Sequence, residues 1–209
     1  MIGLLRRAAQ ESPDREVMVT SRGSTTFAQL LDSAQRVADN LTARGIERVA
    51  ILDDDPAHVL ALLAGSSLAG TEACIYPLAA TEDAVADYRA KFDHDHLVTS
   101  RGTLPDAIAS AELLGDVGAP RVAEAPALAP LLVMTSGTTS GQPRAVRHDW
   151  SRVLRPAQNI ARTPEQRWLL SYGLNQFGGL QILIHVLAAQ ATLVVADSFQ
   201  PRDGLAAMR

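Results

Sequence analysis

The sequence predicts an α/β fold in which mainly parallel sheets are flanked by helices. Short apolar runs, each the length of a buried strand, alternate through residues 26–100 with longer segments of helical periodicity. The helical segments carry their own start and stop residues, which sets them between the runs. Such a rhythm places helices on the faces of a parallel sheet and ligand chemistry at the carboxyl ends of its strands.

Thr26 and Gln29 form a capping box. Behind it Leu30, Leu31, Ala34, Val37, Ala38 and Leu41 line one face of a helix that Gly45 closes. The run Val49 to Leu52 reads as a strand. Asp53, Asp54 and Asp55 follow, and Pro56 suits the first turn of a second helix ending near Gly65 or Gly70. Ala73 to Tyr76 is the next strand, closed by Pro77. Thr81 caps a third helix whose first turn carries Glu82 and Asp83, and Leu97 to Thr99 is a further short strand.

From Ala119 to Pro130 the composition turns to Ala and Pro, which marks a connector between two subdomains, residues 1–125 and 126–209. In the second, Leu131 to Met134, Trp168 to Tyr172 and Thr192 to Ala196 read as strands. Asp149 caps a helix kinked near Pro156, and Pro201 opens another. Ending at Arg209, the second sheet is expected to be incomplete, with an unpaired edge and apolar surface.

Composition narrows the function classes. Asp and Glu number 23 against 19 Lys and Arg, and Lys91 is the one lysine. The basic residues alternate with acids instead of forming a stripe, so a nucleic-acid partner is not expected. Ile182 to Ala196, the most apolar stretch, is broken by His185, Gln190 and Thr192 and is too short to span a bilayer. Met1 to Arg15 lacks the apolar segment of a secretory signal, and a cytoplasmic location is expected. Cys74, the single cysteine, sits in an apolar run and reads as a buried, inert thiol.

Chemistry concentrates behind the Leu131 strand, in Thr135-Ser136-Gly137-Thr138-Thr139-Ser140-Gly141-Gln142-Pro143-Arg144. Hydroxyls and glycines at this density suit a loop whose backbone N–H groups and side-chain oxygens reach phosphate or Mg²⁺, and Arg144 adds a fixed positive charge. No Gly-Lys-Ser/Thr ends the loop, so it is not a Walker A sequence. Weaker candidates have plainer readings. Asp53 to Asp55 reads as an acidic cap for the Pro56 helix, His94-Asp95-His96 as a solvated strand edge, and His148 and Trp150 as helix-start packing.

Thr135 to Val146 resembles the signature Thr-Ser-Gly-Ser/Thr-Thr-Gly-x-Pro-Lys-Gly-Val of the AMP-forming adenylate-forming enzymes, a family that includes acyl- and aryl-CoA synthetases, nonribosomal-peptide adenylation domains and luciferases. Ser12-Pro13-Asp14-Arg15, Thr26-Phe27-Ala28-Gln29-Leu30 and Leu68-Ala69-Gly70 through Tyr76-Pro77-Leu78 are similar to further elements of that family, in the same order. The resemblance implies the N-terminal part of a ligase in which a carboxylate attacks the α-phosphate of ATP to give acyl-AMP and pyrophosphate, and a thiol of CoA or a carrier protein then takes the acyl group. It assigns Thr135, Ser136, Gly137, Thr138, Thr139, Ser140, Gly141 and Arg144 to the nucleotide phosphates, and Thr138 to Mg²⁺. Tyr172, Asn175, Gln176, Phe177 and Gly178 resemble the segment that lines the acyl pocket, with core packing an equal reading of Tyr172 and Phe177.

Three departures stand out. The loop has one residue more than the common pattern between Thr139 and Pro143. Arg144 replaces a lysine, a planar fork for a point charge. Asn175 and Gln176 stand where the family has an aromatic residue and a histidine. Family members also supply, further along the chain, an acidic Mg²⁺ ligand, a ribose-binding aspartate and a lysine that acts in adenylation. Lys91 lies upstream of the loop and cannot be that lysine. The resemblance thus implies a segment inactive alone and completed by further sequence or a separate chain. The alternative is a non-catalytic module that binds ATP phosphates or a partner protein.

Overall fold

The computed structural model describes residues 1–116, 118, 121–124, 130–135 and 144–208. In chain order the elements are α1 (Ile2–Glu11), β1 (Glu16–Thr20), β2 (Gly23–Thr26), α2 (Phe27–Ala43), β3 (Arg48–Leu52), α3 (Pro56–Ala69), β4 (Glu72–Ile75), α4 (Glu82–Phe92), β5 (His96–Thr99), β6 (Ile108–Ala109), α5 (Ser110–Leu114), β7 (Pro130–Thr135), β8 (Arg144–Asp149), α6 (Trp150–Val153), a 3₁₀ helix (Arg155–Asn159), β9 (Arg167–Leu169), α7 (Phe177–Ala189), β10 (Thr192–Val194) and α8 (Pro201–Ala207).

Local signals set the helix ends. The Gln29 side chain accepts from the Thr26 N–H at 2.9 Å and the Thr26 hydroxyl from the Gln29 N–H at 3.2 Å, the reciprocal box the sequence predicts. Asp55 caps α3 through the Ala57 N–H, Pro56 fills the first turn, and Gly70 ends the helix at φ 78°. Thr81 caps α4 through the Ala84 N–H.

Two compact units result: residues 33–152, and residues 1–32 together with 153–209. The first holds a six-stranded sheet in the order β6-β5-β3-β4-β7-β8. Its strands are parallel except β8, which runs antiparallel to β7. Ala50, Leu52, Cys74, Tyr76, Leu97, Leu132 and Met134 build one core against Val85, Tyr88 and Phe92 of α4. On α3, residues Val59 to Leu68 are all buried. An apolar surface on every side suits a helix covered on every side.

The second unit holds a four-stranded sheet, β2-β1-β10-β9. β1 and β10 pair in parallel at Met18↔Leu193, β10 and β9 at Leu193↔Trp168, and β2 turns back on β1. Leu180, Leu183, Val186 and Leu187 of α7 are buried.

The units do not follow the sequence division at residue 125. β7 and β8 complete the sheet of β3, β4 and β5, while the N-terminal β1 pairs with the C-terminal β10. The helix expected to kink at Pro156 is instead two pieces. α6 ends at Val153, and Pro156 lies in the opening turn of the 3₁₀ helix, where its missing N–H costs nothing. Asp149 does cap α6, its carboxylate accepting the Ser151 N–H at 2.6 Å.

Candidate functional site

Leu131 to Met134 of β7 are all buried, as a strand between β4 and β8 requires. The chain then emerges at the exposed Thr135, and β8 returns in register from Thr135↔Arg144 to Pro130↔Asp149. Thr135 and Arg144 are therefore cross-strand partners. The Thr135 hydroxyl donates to the Arg144 carbonyl at 3.3 Å, closing the base of the connection. Ser136, Gly137, Thr138, Thr139, Ser140 and Gly141 lie outside the described residues. Both flanking positions are described: a threonine hydroxyl and an exposed guanidinium at one end of a hairpin.

That end is the carboxyl edge of the parallel strands, where the loops after β3, β4 and β5 also meet. Asp53, just past β3, is 2% exposed. It accepts the Asp55 N–H at 2.7 Å and the Ser110 hydroxyl, and lies 3.4 Å from His58 Nδ1. Burial opposes its ionisation, yet the hydrogen bonds from His58, Ser110 and the Asp55 N–H outweigh burial and hold the carboxyl below its ordinary value. Asp53 and Asp55 thus serve the start of α3, as expected. Among the described residues no group of three His, Cys, Asp or Glu is placed to hold a metal.

Arg101, just past β5, was not singled out by sequence. Its Nη2 donates to Asp54 Oδ1 at 3.0 Å and to the Leu78 carbonyl at 2.6 Å, and Ser100 Oγ accepts the Asp54 N–H at 3.2 Å. One side chain therefore ties the β3, β4 and β5 loops together beside the β7 end. The available signal was its position directly behind a strand of a parallel sheet.

His94 corrects the sequence reading of a solvated strand edge. It is 1% exposed, with Nδ1 2.8 Å from the Tyr76 hydroxyl, and His96 begins β5, an interior strand between β3 and β6. Asp93 ends α4 in a left-handed conformation, φ 57°, and this turns the chain back under the helix. The His94 ring then packs against Tyr76 and Phe92, with centroids 5.7 and 6.3 Å away. Burial pushes its pKa down to about 4. Cys74 is buried as expected, and burial raises its thiol to about 12, which leaves it unreactive. Trp150 is buried at the start of α6, in line with its packing role.

The segment assigned to the acyl pocket lies between β9 and α7 in the other unit. The β9 ladder stops at Leu169, and a turn closed by Gln176 N–H on the Gly173 carbonyl leads into α7. Tyr172 is 55% exposed and Phe177 41%, so neither is a core residue. Asn175 is half-buried, Gln176 exposed. Glycines hold this turn flush on the helix. A Cβ on Gly178 would come 3.2 Å from Cγ of Tyr172, and one on Gly179 would meet the Gly173 carbonyl. Tyr172 and Phe177 are thereby displayed together at the amino end of α7.

The chain matches the AMP-binding enzyme family over residues 5–209. It is 25% identical over 222 residues to the 2-succinylbenzoate–CoA ligase of Bacillus subtilis (strain 168), covering 96% of this chain and 45% of that protein. Among solved structures, it resembles the o-succinylbenzoate CoA synthetase of Bacillus subtilis in complex with its acyl-adenylate intermediate, with TM-score 0.81, 24% identity, and coverage of 98% of this chain and 58% of that one. The same enzyme bound to ATP and magnesium ion gives TM-score 0.78 at 22% identity, with coverage of 98% and 60%. The protein belongs to the AMP-binding enzyme family, and its α/β architecture is that of the N-terminal part of an adenylate-forming ligase. It spans about half the length of the curated relatives it matches. Among the described residues no helix is long and apolar enough to cross a membrane.

Proposed function

We propose that these residues are the phosphate-binding N-terminal segment of an AMP-forming acid–thiol ligase, which joins a carboxylate to ATP as acyl-AMP with release of pyrophosphate and passes the acyl group to CoA or a carrier thiol. The observation that carries the reading is a sequence rich in Thr, Ser and Gly over 135–144 whose two described ends, Thr135 and Arg144, pair at the carboxyl edge of the sheet.

The donor set fits a triphosphate. Arg144 offers a planar fork to phosphate oxygens at a solvent-facing position, and hydroxyls of the Thr135 to Ser140 stretch supply further donors. Mg²⁺ carried by the nucleotide keeps most of its water and needs few protein ligands, and the Thr138 hydroxyl is proposed as one of them, beside an acidic ligand from further sequence or a separate chain. When bound, the ion neutralises the charge on the phosphates that leave. The work of the protein is positioning and electrostatic stabilisation.

Tyr172, Asn175, Gln176, Phe177 and Gly178 are proposed to border the acid. The two displayed aromatic rings suit an aryl or other small apolar carboxylic acid, a class that includes the substrate for which the relatives are named. Adenosine anchors and the lysine of adenylation are proposed to come from further sequence or a separate chain. Dependence on ATP and CoA favours the cytoplasm.

Calorimetric titration with MgATP tests this. The chain is expected to bind, and Thr138→Val and Gly137→Val to weaken binding about tenfold or more, the equivalent of one charge-assisted hydrogen bond. Binding unchanged by both substitutions excludes the loop as the phosphate site. The absence of any binding favours the alternative of a partner-binding module.

A further inference from the structure

Glu72, the first residue of β4, is 1% exposed. Each carboxylate oxygen is taken by a guanidinium: Oε1 by Arg48 Nε of β3 at 3.1 Å, and Oε2 by Arg147 Nε of β8. Arg48 is held further by Asp93 and by the Phe92 carbonyl. Arg147 has a side chain 65% exposed and reaches Glu72 from an edge strand.

β8 does not neighbour β4. β7 lies between them, and the Glu72–Arg147 pair spans it from one side to the other. This matters because β7 is tied to β4 along a short ladder, Ala73↔Leu131 and Cys74↔Leu132. Its pairing with β8, in contrast, runs the full length from Pro130↔Asp149 to Thr135↔Arg144. β7 is seated in the sheet through β4 and through Leu132 and Met134 in the core, whereas β8 is an edge strand paired with β7 alone, and the Glu72–Arg147 pair is a direct side-chain tie from β8 to a strand beyond β7. Arg48 serves one oxygen of this buried carboxylate, and the other, Oε2, favours the hairpin position in which Arg147 meets it. Arg147 and Arg144 lie three residues apart on β8, about 10 Å along the strand.

We propose that Glu72 acts through Arg147 as a positioning residue that fixes the β7–β8 hairpin on the sheet, and with it the placing of Thr135 and Arg144 for phosphate. The consequence for nucleotide affinity rests on the proposed function; the bracing of the hairpin does not. Arg147 is the clean probe, because its loss leaves Arg48 to pair with Glu72.

Hydrogen exchange read by mass spectrometry on the 209-residue chain, with MgATP titration alongside, tests the proposal. For Arg147→Met the unfolding midpoint is expected to stay within about 3 °C of the parent, since Arg48 still pairs with Glu72. Exchange in peptides covering 130–135 and 144–149 is expected to rise about tenfold relative to those covering β3 and β5, and MgATP affinity to fall about fivefold. Arg147→Lys should recover part of both. Arg48→Met removes the guanidinium that does not touch the hairpin and should leave the exchange ratio unchanged. Hairpin exchange in Arg147→Met that stays at the parent level, or rises only in step with β3 and β5, overturns the proposal; so does faster hairpin exchange with MgATP affinity intact. A parent chain that binds no MgATP defeats the proposed function, and the exchange ratio still decides whether Glu72 and Arg147 brace the hairpin.

Discussion

Gly65→Ala is expected to destabilise residues 33–152 by about 3 kcal/mol, although alanine is the better helix former. Helix propensity alone favours the substitution by about 1 kcal/mol. Packing opposes it more strongly. A Cβ on Gly65 would lie 2.5 Å from Cβ and Cγ1 of Val37 and 2.7 Å from the Ala34 carbonyl oxygen, so α3 meets α2 with no room for a methyl group. The Ala34 oxygen belongs to a helix backbone and cannot swing aside. Overpacking of this kind costs about 1–3 kcal/mol, with more where backbone must shift. Urea unfolding followed by circular dichroism measures the difference. Val37→Ala in the same chain should recover part of the loss by removing Cγ1, while the Cβ at position 37 and the Ala34 carbonyl retain the rest. A Gly65→Ala chain as stable as its parent contradicts this close approach of α2 and α3.

The second large effect is acid lability centred on His94. Its ordinary pKa of 6.5 falls to about 4 in the folded protein, chiefly because burial disfavours the cation. Arg48 and Arg89 push the same way, Glu72 and Asp93 oppose, and Tyr76 faces the ring from β4's end with its hydroxyl on Nδ1. Nε2 is buried with no hydrogen-bond partner among the described residues. Between pH 6.5 and 4 the unfolded chain therefore binds a proton that the folded chain refuses. Stability from this group is complete above pH 6.5 and falls as pH drops toward 4, by about 3 kcal/mol in total. Urea midpoints at pH 7.5 and 4.5 measure it. His94→Gln is expected to be less stable than the parent at pH 7.5, having lost its fit to Tyr76, yet to show a much flatter pH dependence. Equal slopes for the two chains would place the titrating group elsewhere.

What the sequence made legible was local. The capping box of Thr26 and Gln29, the Asp55-Pro56 start and Gly70 end of α3, and the Thr81 cap each lie within one helix, so a single stretch of chain states them in full. Sheet membership is different, because it depends on partners far apart in the chain. Leu131 meets Ala73, and Met18 meets Leu193. No periodicity within residues 131–134 tells which sheet will receive them. β8 escaped notice for another reason. Arg144 to Asp149 offers Ala145 and Val146 as its apolar residues, and Val146 is 47% exposed, so an edge strand of polar residues shows no burial pattern. His94 misled because two histidines around an aspartate look like surface; the left-handed turn at Asp93 buries the first of them.

The candidate site shows the same contrast. Thr135 and Arg144 were readable from the motif, and the structure makes them partners at a sheet edge. Arg101 and Glu72 were not readable, since each matters for the loops or strands it ties together across the fold.

The sequence between Thr135 and Arg144 is proposed to hold the outer phosphates of a nucleotide. Competition against bound MgATP tests it most directly, with pyrophosphate and AMP as the two competitors in the presence of Mg²⁺. Pyrophosphate is expected to displace ATP at least about tenfold more effectively than AMP does, a difference of about 1.4 kcal/mol, and Arg144→Ala to abolish this preference. Displacement by AMP as effective as that by pyrophosphate would show that the nucleotide is held by its adenosine end and not by the sequence between Thr135 and Arg144.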